Sequence, residues 1–185
     1  MESTNQAMRC LLSGEEAEKF KALLSLPIDQ FIRDCRIQSL QLPGPGGSHK
    51  NRTYTAVRIQ HPEWKDWVAV AGEQREGEKN RRLAAQRLRL KAALEQRCAV
   101  VLPLPPFPWE KPKVSLTHPL YPLLISFALD LLYSANGSLA LAAKELKWSS
   151  SALLRQLYAD KQVWATAQRI VQAAGAAPLH PPRSS

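Results

Sequence analysis

Cysteine is scarce in this chain of 185 residues. Cys10, Cys35 and Cys98 form an odd, widely spaced set with no Cys-x-x-Cys pair. That pattern excludes a disulfide framework and points to a reducing compartment. Long apolar runs are also missing. The most apolar stretch, Leu120 to Leu132, is too short to cross a bilayer and contains Asp130. The N-terminus, Met1-Glu2-Ser3-Thr4, lacks the charged-then-apolar layout of a signal peptide. These absences predict a soluble, cytoplasmic protein with no membrane partner. Histidine is thin as well: His61, His118 and His180 stand alone without metal-ligand spacing. Neither a phosphate-binding P-loop nor a dinucleotide fingerprint occurs, so no metal and no cofactor is expected. No internal repeat is evident.

What is present is positive charge, unevenly placed. The formal charge is +9, and 45% of residues are apolar, enough for a folded core. Residues 1–45 carry five Lys/Arg against six Asp/Glu, residues 46–115 fourteen against seven, and residues 116–185 six against three. The excess therefore sits in the middle, which suits a phosphate backbone. In that middle segment lies Gly44-Pro45-Gly46-Gly47-Ser48-His49-Lys50-Asn51-Arg52. Two adjacent glycines at a loop tip allow a backbone to approach another molecule closely, because glycine has no Cβ. The basic and amide side chains behind them suit a polyanion.

The flanking pattern reads as an α+β fold. Ser13-Gly14-Glu15-Glu16 opens a short helix with Phe20, Leu23 and Leu24 on its apolar face, and 28–34 makes another helical turn. Alternation predicts a strand over 36–42. Strands over 53–61 and 67–71 form a hairpin around the turn at 62–66. A long basic helix follows from Gly77 to Arg97, with a stripe of Leu83, Leu90 and Leu94 and with Leu88 and Ala84 beside it. Lys79, Arg81, Arg82, Arg87, Arg89, Lys91 and Arg97 fill its other faces. Five prolines between Val101 and Pro112 mark an extended linker. Helices over 120–133, 138–146, about 150–157 and 163–174 come next. The expected domains are residues 1–100, a linker over 101–115, a helical module over 116–176 and a disordered tail over 177–185.

The run from Pro43 through Gly46-Gly47-Ser48-His49-Lys50-Asn51-Arg52 to Ala56-Val57-Arg58 resembles the peptidyl-hydrolase domain of class I peptide chain release factors. The signature of that family is Ser-Gly-Pro-Gly-Gly-Gln-His-x-Asn-Lys, followed shortly by Ala-Val-Arg. A second similarity is Gln74-Arg75-Glu76-Gly77-Glu78-Lys79-Asn80-Arg81, opening a helix with Ala84 and Arg87-Leu88. The resemblance covers roughly residues 35–97. It implies a loop that enters the peptidyl-transferase centre, where water attacks the ester joining peptide to tRNA. It also implies ribosomal RNA and peptidyl-tRNA as partners. Gly46, Gly47 and Ser48 would be the catalytic tip. His49, Lys50, Asn51, Arg52, Arg58, Gln74, Arg75, Lys79, Asn80, Arg81 and Arg82 would contact RNA.

The chain departs from the family at two points. Pro43 replaces the usual serine, and Ser48 stands where the family has glutamine. Ser48 keeps the backbone N–H that would stabilise the transition state or the leaving oxygen. It loses the long amide that positions water. Loss of a transition-state donor costs about 10²–10³ in rate, and losing only the side chain costs less. Hydrolysis at reduced rate and binding without hydrolysis both remain open. The chain also has no room for codon-reading domains, so codon-independent release or rescue is expected. Its tail holds one arginine, Arg183, which weighs against sensing a vacant mRNA channel. Ser48 and His49 are neighbours, but a nucleophilic pair needs facing side chains and an orienting acid.

The stretch from Leu139 to Ile170 is similar to a helix-turn-helix core, which offers a DNA-binding regulator as a third reading. Arg155 is the single basic residue on its second helix, and this sets DNA behind RNA as a partner. Trp64, Trp67, Trp109, Trp148 and Trp164 read as packing residues, with Trp64 the candidate for stacking on RNA.

Overall fold

The computed structural model describes residues 11–40, 55–104 and 114–182. Among them are seven helices and one three-stranded antiparallel sheet: α1 Gly14–Ser25, α2 Ile28–Asp34, β1 Arg36–Leu40, β2 Ala56–Gln60, β3 Ala69–Ala71, α3 Gly77–Glu95, α4 Tyr121–Ser134, α5 Leu139–Glu145, α6 Ser150–Tyr158 and α7 Lys161–Ala173. The fold is mixed α+β. The chain divides into two compact units, one of Leu23–Ala92 and one of Met1–Ala22 with Ala93–Ser185.

In the first unit the strand order is β1-β2-β3. Gln38 lies opposite Arg58, and Arg58 opposite Val70. Val57 and Ile59 of β2 and Ala69 and Ala71 of β3 are buried. β1 is an edge strand with four of its five residues exposed, so its alternating sequence does not become an inner and an outer face. Phe31 of α2 anchors an aromatic cluster. It stacks on His61 at 5.0 Å, and Trp64 lies 5.4 Å from its ring and 5.7 Å from Trp67. Trp64 is thus held inside this cluster at 6% exposure, where a base cannot stack on it.

The buried face of α3 differs from the leucine stripe expected from sequence. Ala84, Ala85, Leu88 and Ala92 are fully buried, while Leu83, Leu90 and Leu94 are only half-buried. The leucines flank this alanine-rich buried face. Two of the basic residues assigned to its solvated faces are also internal: Arg89 and Arg97 are at most 2% exposed.

In the second unit α4 is buried over nearly its whole length. It packs on α5 and α7, and α6 packs on α5 and α7. Gly137 ends the turn after α4 with φ +78, and an added Cβ would lie 3.0 Å from the Ala176 Cβ. Both the left-handed conformation and the close approach require glycine there. Asp130 of α4 binds Lys21 Nζ at 2.5 Å, Arg97 Nη1 at 2.9 Å and the Cys98 N–H at 3.1 Å. Leu12 pairs with this segment, donating to the Arg97 carbonyl and accepting from the Ala99 N–H.

These bonds give the division of the chain a physical reason. Residues 11–22 and 93–100 belong with the C-terminal helices, whereas the sequence alone grouped them with the strands. Within the expected linker, Val114 is held to α6 by two hydrogen bonds with the buried Gln156 side chain. Within the expected disordered tail, Leu179 is held to Gln168 of α7 by two more.

Candidate nucleic-acid interface

Gly46, Gly47, Ser48, His49, Lys50, Asn51 and Arg52 lie outside the described residues. The structure does place the chain that follows them and the helix start that the sequence paired with them. Asn80, in the first turns of α3, is the link. Its Nδ2 donates to the Thr55 carbonyl at 2.7 Å and to the Gln74 carbonyl at 2.9 Å. Its Oδ1 accepts the Gln74 N–H at 3.0 Å. One side-chain amide therefore joins the entry into β2 to the segment that opens α3. Asn80 is fully buried, so it holds the surface together rather than lying on it. An amide suits the task because it offers donors and an acceptor on one planar group.

Around this link Arg58, Gln74, Arg75, Lys79, Arg81 and Arg82 are all exposed. Most of the cations pair with local carboxylates. Lys79 meets Glu76 at 2.7 Å, Arg81 meets Glu78 at 3.3 Å, and Arg82 meets Asp29 at 2.7 Å. Arg87, further along α3, meets Glu73 at 2.7 Å and donates to the Val70 carbonyl at 2.8 Å. Burial pushes the Glu73 carboxyl up, but bonds from Arg87 and the Gly72 N–H outweigh it and hold the group below its usual range. Exposed pairs of this kind contribute about 0–1 kcal/mol, so a phosphate can replace the carboxylate at small cost. Among the described residues Arg58 and Arg75 carry no ion pair. Arg58 makes one long contact, 3.5 Å, to Gln38 on the neighbouring strand.

The two cysteines among the described residues do not supply nucleophiles. Burial pushes the Cys35 thiol up to about 12 and the Cys98 thiol up to about 11, so both stay protonated near neutral pH. Burial lowers the His61 pKa, against Asp34 and Glu63, which raise it. Its Nδ1 accepts the Glu63 N–H, fixing the ring in the aromatic cluster. Among the described residues no group of three His, Cys, Asp or Glu could hold a metal ion, and no helix is long and apolar enough to cross a membrane.

Two residues had roles that sequence pattern concealed. Asn80 looked like one more RNA-facing polar residue on a basic helix. Arg89 looked like one more surface cation. Its guanidinium instead lies 5.5 Å from the Phe31 ring, its three nitrogens have no hydrogen-bond partner among the described residues, and burial lowers its pKa to about 10. The signal available in sequence was position: Arg89 falls between Ala85, Leu88 and Ala92 on the alanine-lined face. No family model matches the chain, and neither a curated protein nor a solved structure matches it.

Proposed function

We propose that this chain is a ribosome-associated factor of the release or rescue kind, acting without reading a codon on peptidyl-tRNA at the peptidyl-transferase centre. The observation that carries this reading is the Asn80 link. It ties the residue just after the glycine loop, Thr55, to the basic opening of α3. A loop delivered into an RNA site needs a rigid base with cations that can grip phosphate on either side. Arg58 and Arg75 supply charge with no ion pair among the described residues, and Lys79, Arg81 and Arg82 supply charge held by exchangeable pairs. The release-factor-type arrangement of sheet, hairpin and basic helix is part of the same proposal.

The chemistry follows from the loop sequence. Gly46 and Gly47 let the backbone approach the ester. The Ser48 N–H donates to the oxygen on which negative charge develops, and water is the nucleophile. Serine is too short to hold that water as glutamine would, so turnover is slow.

The test is release of labelled peptide from purified stalled ribosomes, with co-sedimentation measured alongside. The expected result is slow release by the wild type, faster release by Ser48→Gln and none by Gly47→Val, with binding retained. Binding without release, restored by Ser48→Gln, would instead identify a non-catalytic ribosomal RNA-binding module. Failure to co-sediment with ribosomes would sink both.

A further inference from the structure

The second unit carries a surface that the ribosomal reading leaves unused. Residues 146–149 join α5 to α6. The Lys147 N–H donates to the Lys144 carbonyl at 3.0 Å, and the Trp148 N–H to the Ala143 carbonyl at 2.9 Å. That pair of bonds is a Schellman turn. Ser149 then caps α6, its Oγ accepting the Ala152 N–H at 3.2 Å. Ala142, Ala143 and Leu146 on one side and Leu153 and Leu157 on the other are buried. Two helices joined by so short a turn form a helix-turn-helix unit.

The outward face of α6 has its own chemistry. Ser150, Ser151, Arg155 and Tyr158 are exposed, and Ser151, Arg155 and Tyr158 fall in one stripe by helical spacing. No acidic residue lies on α6. The first carboxylate beyond it, Asp160, is occupied in capping α7, where it accepts the Gln162 and Val163 N–H groups at 2.7 and 3.1 Å. The end of α5 and the turn add exposed Lys144 and Lys147, which a count of α6 alone omits. Residues 139–173 together hold five Lys/Arg and two Asp/Glu. Lys147 sits at φ +57, a conformation that glycine adopts without strain and lysine does not.

We propose that α6 seats in the major groove of B-form duplex DNA. Ser150, Ser151 and Arg155 face base edges, and Lys144 and Lys147 meet the flanking phosphates. A serine hydroxyl can donate or accept at a base edge, and an arginine can pair with guanine at two points. B-form DNA is the fitting duplex because its major groove, about 12 Å wide, admits a helix, whereas that of A-form RNA is too deep and narrow. The weighing against DNA from Arg155 alone changes once exposed Lys144 and Lys147 stand beside it. One such module binds random-sequence DNA with Kd on the order of 10⁻⁶–10⁻⁴ M at physiological salt.

The experiment is fluorescence anisotropy of the full chain with labelled random-sequence DNA and RNA duplexes at several salt concentrations. DNA is expected to bind more tightly than RNA. Arg155→Ala and Lys147→Gly should each weaken DNA binding and lower the salt slope by about one. Lys65→Ala, an exposed residue of the other unit, should leave DNA binding unchanged. Lys147→Gly is the discriminating variant, because it relieves the left-handed strain. It should raise the thermal unfolding midpoint while lowering DNA affinity, whereas a purely structural turn would change stability alone. The proposal is overturned by no DNA binding at low salt, by equal affinity for RNA with the same sensitivity to these variants, or by DNA binding that neither variant reduces.

Discussion

The two units differ in the ion pairs they bury. In the unit of Leu23–Ala92, cations such as Lys79, Arg81 and Arg82 are exposed and share their carboxylates with solvent. In the other unit, Lys21 and Arg97 converge on Asp130, whose side chain and that of Arg97 are at most 2% exposed. The Lys21 ammonium also donates to Ser126 Oγ at 2.6 Å and lies 4.1 Å from the Phe127 ring centroid. Arg97 Nη2 also donates to the Ala93 carbonyl. Burial lowers the pKa of both cations, and the Asp130 charge opposes that shift. Identical residue types thus serve two ends. Where water competes, a pair is weak and its cation is open to a phosphate. Where water is excluded, the pair is architecture and closed to any partner.

The sharpest break in this comparison is at Asp130. Asp130→Ala would leave two buried cations facing one another without a carboxylate, and removing one partner of such a site costs about 3–5 kcal/mol. The expected outcome in urea unfolding is loss of most of the stability. Combining Asp130→Leu with Lys21→Met and Arg97→Met should recover much of it, since a buried ion cluster replaced by apolar residues is often neutral. A triple variant as unstable as Asp130→Ala would show that the hydrogen bonds, rather than the charge balance, hold this site.

Asn80 comes next in size. Asn80→Ala leaves the Thr55 carbonyl and both backbone groups of Gln74 without their partner. The expected loss is about 1–3 kcal/mol, because the orphaned groups are only partly buried and water replaces some of the lost bonds. Ribosome affinity should fall along with stability. Under conditions where the variant is still folded by circular dichroism, undiminished co-sedimentation would detach the link from the binding surface.

Much of the fold was legible because local rules dominate it. Ser149 before an apolar period marks the start of α6, and the Val/Ile-rich segments around the turn at 62–66 mark the hairpin. The buried ionic site was not legible. Lys21, Arg97 and Asp130 are far apart in sequence, and nothing local distinguishes a cation that will be buried from one that will not. The same limit applied to α3 and the residues just after it, where charged residues were assigned to solvent by type although Arg89 and Arg97 are buried. At the candidate interface the residue types were readable, but the separation of Asn80, which organises, from Arg58 and Arg75, which face outward, needed three dimensions.

A pH experiment separates the aromatic cluster from both charge patterns. His61 titrates lower in the folded chain than its ordinary 6.5, with burial the largest cause. The unfolded chain therefore binds a proton more readily as pH falls below about 6.5, and stability must fall with it. The slope ends below the lowered folded value, where both states are protonated. His61→Phe, which keeps a ring against Phe31, should flatten the stability profile across that window in urea titrations at stepped pH. An unchanged slope would assign the acid sensitivity to other groups.

The smallest stability effect tests the exposed pairs. Glu76→Gln removes the carboxylate that holds Lys79 at 2.7 Å, and both side chains are more than half exposed. The stability change should stay below about 1 kcal/mol, as for exposed pairs in general. Affinity for ribosomes should instead rise, because Lys79 no longer exchanges one anion for another when it meets phosphate and a repelling carboxylate is gone. Arg75→Ala should move affinity the other way and lower the salt slope by about 0.7–0.9, the loss of one phosphate contact. Opposite shifts in these two variants, with stability nearly constant, are what a phosphate-facing surface requires. If neither moves ribosome affinity, the basic opening of α3 is a solvated face and the ribosomal contact lies elsewhere.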